Sequence, residues 1–429
     1  MIVKKIRHLL LSRLVKHSFV FVITDVINKS IPFLLLPILT IYLTPAEYGS
    51  IASFNSIFAV LCVFVGLSVQ GAVGVNYFKQ SKKELSEFIG NVFIVLFIST
   101  TITLLIVFAL RYQLEELLQF PWKWIIIAVF TAFGFFIVSI NLTLWIVEQK
   151  PKNYGIFNIL DSLLKVGLSV WFVIVLTMGW EGRIGAIFIV TISMAIISTY
   201  MLWRRGYLKI VCKKVYVKDA LMFGIPLVPH QLGSWIRKGA VILLLVSLVG
   251  QAETGLYDVG FKFASIMVIL TMAINKAYQP YLFKKLKGEP QESEKRRMVK
   301  YTYLYFISLI IIAGLITILS PLLISCFLNN TFYESYKYIG YLTFSAAFQG
   351  MYFMVGSYIM YEKKTKYLAY VTFIVSIIHI SLAFFFINRF GAIGAAQASL
   401  VGFFLSFVFV WFYSNKVYRM PWLSIFKRQ

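Results

Sequence analysis

Three acid–base pairs stand out in this chain of 429 residues: Asp25/Lys29, Asp161/Lys165 and Asp258/Lys262, each acid four residues before its base inside an otherwise apolar run. At that spacing the two side chains share one helix face, a turn apart, in the favoured acid-first order. An ionisable group at bilayer depth is costly unless paired or hydrated. Each pair therefore either neutralises itself so that its helix can insert, or serves a wet cavity. Arg237, Lys238 and Lys276 also fall in apolar runs and have no such partner in sequence. Six cations against three acids leave a surplus of three positive charges, which must face a wet cavity or one another. Such a cavity holds an anion, and no covalent chemistry is required. Arg237 is the first choice because its guanidinium fork suits phosphate oxygens. Lys29, Lys165, Lys238, Lys262 and Lys276 are the other candidate substrate-binding cations. Asp25, Asp161 and Asp258 are candidates for coupling to a proton or sodium gradient. The three cysteines (Cys62, Cys212, Cys326) and the four histidines are scattered without metal-ligand spacing, so neither a metal site nor a cofactor is expected.

The elements that carry these residues follow from composition. The chain is 60% apolar, 17% aromatic and only 14% charged, with mean hydropathy +0.82. That excludes a soluble enzyme, a disordered chain and a nucleic-acid-binding domain. Twelve runs are long and apolar enough to span a bilayer: 19–42, 51–78, 88–110, 122–147, 154–178, 185–203, 220–249, 257–281, 300–324, 335–360, 368–388 and 392–414. The net charge of +24 is distributed by side, with thirty basic residues in the termini and even-numbered loops against five in the odd-numbered loops. This bias places both termini in the cytoplasm. It also explains the basicity without nucleic acid, and basic segments such as 204–218 suit anionic lipid headgroups. The short odd-numbered loops leave little room for the outer catalytic domain of a membrane glycosyltransferase or polymerase.

The spans form two parallel halves. Ala46-Glu47-Tyr48-Gly49 is echoed 206 residues later by Ala252-Glu253-Thr254-Gly255, and Gly185-Ala186 by Gly394-Ala395 after 209. The expected organisation is an amphipathic cytoplasmic segment 1–18, an N-lobe 19–203 with spans one to six, a basic linker 204–219, a C-lobe 220–414 with spans seven to twelve, and a basic tail 415–429. Six spans per half make this a parallel repeat, a known transporter architecture. Lys29 and Arg237 precede their loops by 17 and 15 residues, so a cation from each half sits at similar depth. Pro32 and Pro37 in the first span, and Pro226 and Pro229 in the seventh, mark kinks that serve either as gates or as static bends. His230 reads as a hydrogen-bonded structural histidine. Tyr341, Tyr352, Tyr358 and Tyr361 read as packing rather than a sugar-stacking wall.

Pro32-x4-Pro37 followed by Leu43-Thr-Pro-Ala-Glu-Tyr-Gly49 resembles the opening of the Wzx-type O-antigen and capsule flippases of the multidrug/oligosaccharidyl-lipid/polysaccharide exporter superfamily. Phe223-Gly-Ile-Pro-Leu-Val-Pro-His230 and Gly255-Leu-Tyr-Asp-Val-Gly-Phe-Lys262 resemble that family's seventh- and eighth-helix signatures. The resemblance implies an all-α polytopic membrane protein, a V-shaped pair of six-helix bundles working by alternating access. It implies translocation of an undecaprenyl-pyrophosphate-linked oligosaccharide from the inner to the outer leaflet of the bacterial cytoplasmic membrane, without enzymatic activity, with the cognate polysaccharide polymerase as a possible partner. Many relatives carry an Asp-Arg pair later in the seventh helix. Here Ala240-Val241-Ile242 is apolar, and Arg237-Lys238 stands about a turn earlier. An ion-coupled drug or cation antiporter of the same superfamily is the alternative, and would favour unpaired acids in place of this cationic surplus. A membrane glycosyltransferase or polymerase is a more remote one.

Overall fold

A computed structural model describes residues 24, 27, 28, 30, 31, 33–362, 364 and 366–422. Asp25, Lys29 and Pro32 lie outside the described residues, as do the segment 1–18 and the end of the tail, 423–429. No strand occurs among the described residues. The helices are α1 (Leu36–Tyr42), α2 (Pro45–Gly66), α3 (Gln70–Asn76), α4 (Lys82–Ala109), α5 (Arg111–Leu118), α6 (Trp122–Val147), α7 (Pro151–Val170) and α8 (Gly179–Arg204), followed by α9 (Lys214–Gly224), α10 (Val228–Trp235), α11 (Val241–Val249), α12 (Gln251–Lys287), α13 (Glu292–Phe327), α14 (Tyr336–Tyr361), α15 (Lys366–Phe390) and α16 (Ala392–Val417). Among the described residues, ten helical segments are long and apolar enough to cross a membrane. The 26-residue α14 falls short of that apolarity because of its tyrosines, and α1 forms the end of the first span. The total is consistent with twelve crossings, in a multi-pass membrane protein.

Local chemistry sets the breaks. Thr44 and Glu47 cap α2 reciprocally: Glu47 Oε2 accepts from the Thr44 backbone N–H and hydroxyl, each at 2.9 Å, while Thr44 Oγ1 accepts from the Glu47 N–H. Ser81 and Glu84 do the same for α4. The predicted span 51–78 is divided at Leu67 and Ser68, both with positive φ, so α2 and α3 are separate helices. The seventh span is also divided: a 3₁₀ turn at Ile225–Leu227 contains Pro226, and a π turn covers Ile236–Ala240 between α10 and α11. Proline removes an N–H and clashes with the preceding turn, which accounts for the first break.

The chain packs as two compact units. One is the described part of Met1–Leu43 with Ser50–Trp235, and the other is Thr44–Gly49 with the described part of Ile236–Gln429. The division thus runs through the seventh span at its π turn, whereas the repeat would divide the chain at the linker. The N-terminal half of the seventh span is held in the first unit by Gln231 donating to Ser68 Oγ (2.6 Å) and Trp235 Nε1 to the Ser56 carbonyl (2.9 Å). The linker is strapped there too. Fully buried Asn91 donates to the Val211 carbonyl (2.7 Å) and accepts from the Lys213 N–H (2.9 Å), so one amide pairs with two backbone groups.

The second unit has an aromatic core in which Phe306, Phe407, Trp411 and Trp422 meet. Tyr358 is fully buried against Tyr418 and Trp422, and Tyr361 packs on Phe283, so these two tyrosines are core packing. This unit also brings the two Ala-Glu-x-Gly motifs together. A Cβ on Gly49 would lie 1.9 Å from the Gln251 carbonyl oxygen, and one on Gly255 would lie 1.9 Å from the Pro45 carbonyl oxygen. Positions 45 and 251, and 49 and 255, are equivalent across the 206-residue offset, so the start of α2 crosses the start of α12 with reciprocal contacts. Only glycine permits so close an approach of two backbones.

Candidate functional site

In the first unit the polar residues of the fifth span form one stripe. Asn158, Asp161 or Ser162, Lys165 and Ser169 follow each other on α7 at intervals of three and four, the period of a single helix face. Lys165 Nζ lies 2.7 Å from Asp161 Oδ2, with both side chains mostly buried. Asn28 of the first span donates to Asn158 Oδ1 (2.8 Å) and accepts from the Ser162 hydroxyl. At the other end of the stripe Arg183 donates to Ser169 Oγ (2.6 Å). The other carboxylate oxygen of Asp161 is buried without a hydrogen-bond partner. Asn28, Asn158 and Arg183 were not singled out by charge pattern. The polar periodicity of residues 158–169 is the signal that reveals Asn158, whereas Asn28 and Arg183 come into view only once the neighbouring helices are placed.

In the second unit Asp258 and Lys262 pair on α12 at 2.5 Å. Lys262 also donates to Tyr48 Oη (3.2 Å) and lies over the Tyr48 ring, 4.4 Å from its centroid. Tyr48 is buried, with its ring edge-on to Phe332. This cation therefore ties the start of α2 to α12.

Arg237 and Lys238 sit in the π turn Ile236–Ala240, Arg237 half-buried and Lys238 exposed. A π turn spreads more residues over each turn than an α-helix. Adjacent side chains are therefore closer in direction than the roughly 100° of an α-helix. Among the described residues, no ion pair engages Arg237, Lys238 or the exposed Lys276 of α12. The electrostatic neighbours of Arg237 are Tyr352 on α14 and His379 on α15. His379 is 2% exposed, with Nε2 at 3.4 Å from Ser399 Oγ and Nδ1 unpartnered. Its isolation within an apolar span was its only sequence signal. Of the predicted kink residues, Pro37 stands at the beginning of α1, Pro226 in the 3₁₀ turn, and Pro229 in the first turn of α10.

A second charged cluster in the first unit lies where α6 and α8 end. Arg205 donates to Glu148 Oε2 (2.6 Å) and Asn141 Oδ1 (2.8 Å), with its guanidinium against the Trp145 and Tyr207 rings. Burial raises the Glu148 pKa, but hydrogen bonds from Tyr207, Lys150 and Arg205 outweigh it and hold the carboxyl below its ordinary range. Nearby, Glu87 pairs with both Lys209 and Lys213 of the linker.

The sequence pattern of polysaccharide biosynthesis proteins matches residues 14–286, well over half the chain. The chain belongs to the polysaccharide biosynthesis protein family. Residues 226–385 also match the MatE pattern. An uncharacterized membrane protein of Haemophilus influenzae is 25% identical over 376 residues, covering 86% of this chain and 89% of that one. The fold is that of the lipid II flippase MurJ in an inward closed conformation (TM-score 0.76, 14% identity, 92% of this chain and 87% of that one). It is equally that of an inward-facing multidrug resistance MATE family transporter (TM-score 0.73, 13% identity, 90% and 94%). Among the described residues, Arg237, Lys238 and Lys276 are cations of the spans that no ion pair engages.

Proposed function

We propose that this family member flips an undecaprenyl-pyrophosphate-linked oligosaccharide, an O-antigen or capsule repeat unit, from the inner to the outer leaflet of the bacterial cytoplasmic membrane by alternating access. One observation carries the reading. Each acid described at membrane depth, Asp161 and Asp258, is already paired with its own lysine, whereas no carboxylate among the described residues pairs with Arg237, Lys238 or Lys276. A transporter of cations needs free acids, while a diphosphate supplies the anion that these three residues lack. Lys29 and Lys165 join them as substrate-binding cations. Lys262, committed to Asp258 and Tyr48, serves as a clamp.

Charge-assisted hydrogen bonds hold the diphosphate without any reaction, the glycan occupies the hydrated path, and the polyprenyl tail stays in lipid. Asp161, with one buried oxygen unsatisfied, is the coupling candidate in the first unit, and Asp25 accompanies it. Pro37, Pro226, Pro229 and the π turn supply the points at which helices bend during exchange. Both termini face the cytoplasm in this orientation.

The test is binding. Purified protein is titrated with a short-chain polyprenyl diphosphate and with a lipophilic cation, each read by intrinsic fluorescence. The diphosphate is expected to bind, and Arg237→Ala to weaken it by about tenfold or more, the worth of one charge-assisted contact. Binding of the cation alone would favour the antiporter.

A further inference from the structure

The first unit contains a crevice of about 710 Å³ between α4 and the N-terminal part of the seventh span. Its walls are aliphatic: Ile94 and Ile98 on one side, and Leu221, Met222 and Ile225 on the other. Met222, Ile225 and Ile98 are all more than half exposed, so the crevice opens outward and is not sealed by protein. At one end stand Lys214 and Lys218, four residues apart on α9 and so on one helix face. Both lysines are exposed. Their neighbours Lys209 and Lys213 are taken by Glu87, whereas no ion pair among the described residues involves Lys214 or Lys218.

An apolar slot at membrane depth does not hold water, since its walls offer no hydrogen bonds. Hydrocarbon fills it, and the paired lysines at its rim lie at the height of a phosphate ester. We infer that this crevice is a binding site for one anionic phospholipid of the cytoplasmic leaflet, its acyl chain between α4 and the seventh span and its headgroup phosphate on Lys214 and Lys218. None of Arg237, Lys238 and Lys276 lines this crevice, and the leaflet follows from the orientation proposed above. Because α9 continues through the Pro226 turn toward the π turn, a lipid held here braces the N-terminal half of the kinked helix.

Cys212, exposed and in the wall of the crevice, is a built-in reporter. The experiment uses full-length protein carrying Cys62→Ser and Cys326→Ser, in neutral detergent micelles supplemented with phosphatidylglycerol or phosphatidylcholine. The rate of Cys212 alkylation by a water-soluble maleimide is measured against lipid mole fraction. Phosphatidylglycerol is expected to protect at about thirtyfold lower mole fraction than phosphatidylcholine, about fivefold for each lysine. Lys214→Ala with Lys218→Ala abolishes that preference, and Lys214→Arg with Lys218→Arg retains it. Equal protection by the two lipids, a preference that survives the alanine pair, or no protection at all would overturn the assignment. Stronger protection by a short-chain polyprenyl diphosphate would overturn it in favour of the transported lipid.

Discussion

Lys262 and Glu148 show that a charge near or within the membrane can be structural. Lys262→Met leaves Asp258 unpaired at membrane depth, and we expect a loss of about 3 kcal/mol. Adding Asp258→Asn should recover most of it, so the double variant unfolds at higher temperature than the single one in a detergent melt. If the two losses simply added, the pair would not be coupled. Glu148 gives a pH dependence. Its folded-state pKa is depressed, so its contribution is full above the ordinary carboxylate range and is lost as pH falls through the folded value. Thermal stability should therefore decline on acidification below about pH 4.5. Arg205→Met, which removes one of the hydrogen bonds that depress the pKa, should reduce that decline. An unchanged acid profile in Arg205→Met would contradict the role of the cluster. The pairs Asp161/Lys165 and Asp258/Lys262 were legible because four-residue spacing is itself geometry. Asn28 and His379 were not, because an uncharged polar residue in an apolar run declares no partner until neighbouring helices are placed.

At the scale of elements, the crossing of α2 and α12 and the strap on α4 are the two junctions most sensitive to substitution. Gly49→Val drives a side chain into the Gln251 carbonyl, and Gly255→Val into that of Pro45. Each should cost about 3 kcal/mol, the upper range for overpacking. The double variant should cost less than the sum, because one displacement of the crossing relieves both. Additive losses in thermal unfolding would show that the contacts are independent. Asn91→Ala removes the hydrogen bonds to the Val211 carbonyl and the Lys213 N–H and should cost about 2 kcal/mol. Amide exchange at residues 209–213 should rise, and unchanged exchange there would show that the strap is held by Glu87 alone. The spacing of the Ala-Glu-x-Gly motifs foretold the equivalence of α2 and α12, though not their contact. The breaks at Leu67–Ser68 and Ile236–Ala240 were hidden, because neither carries proline, and the charges of Arg237 and Lys238 mark a polar site without specifying a π turn.

For the whole molecule, the membrane class, the span count and the family were legible from hydropathy, the basic bias and a few motif residues, since these depend on composition and order along the chain. The division of the seventh span between two packing units was not. Gln231 and Trp235 hold its N-terminal half to the first unit through tertiary hydrogen bonds that no local pattern encodes. The central claim is that unpaired cations of the spans carry a lipid-linked diphosphate across the membrane. Its most direct test is a flipping assay in proteoliposomes with a fluorescent polyprenyl-pyrophosphate oligosaccharide, comparing wild type with Arg237→Ala combined with Lys29→Ala. We expect wild type to move the lipid to the opposite leaflet and the folded double variant to be slower by at least about tenfold. A folded double variant as fast as wild type would contradict the cation mechanism, and a folded wild type that moves no lipid-linked glycan would contradict the flippase assignment itself.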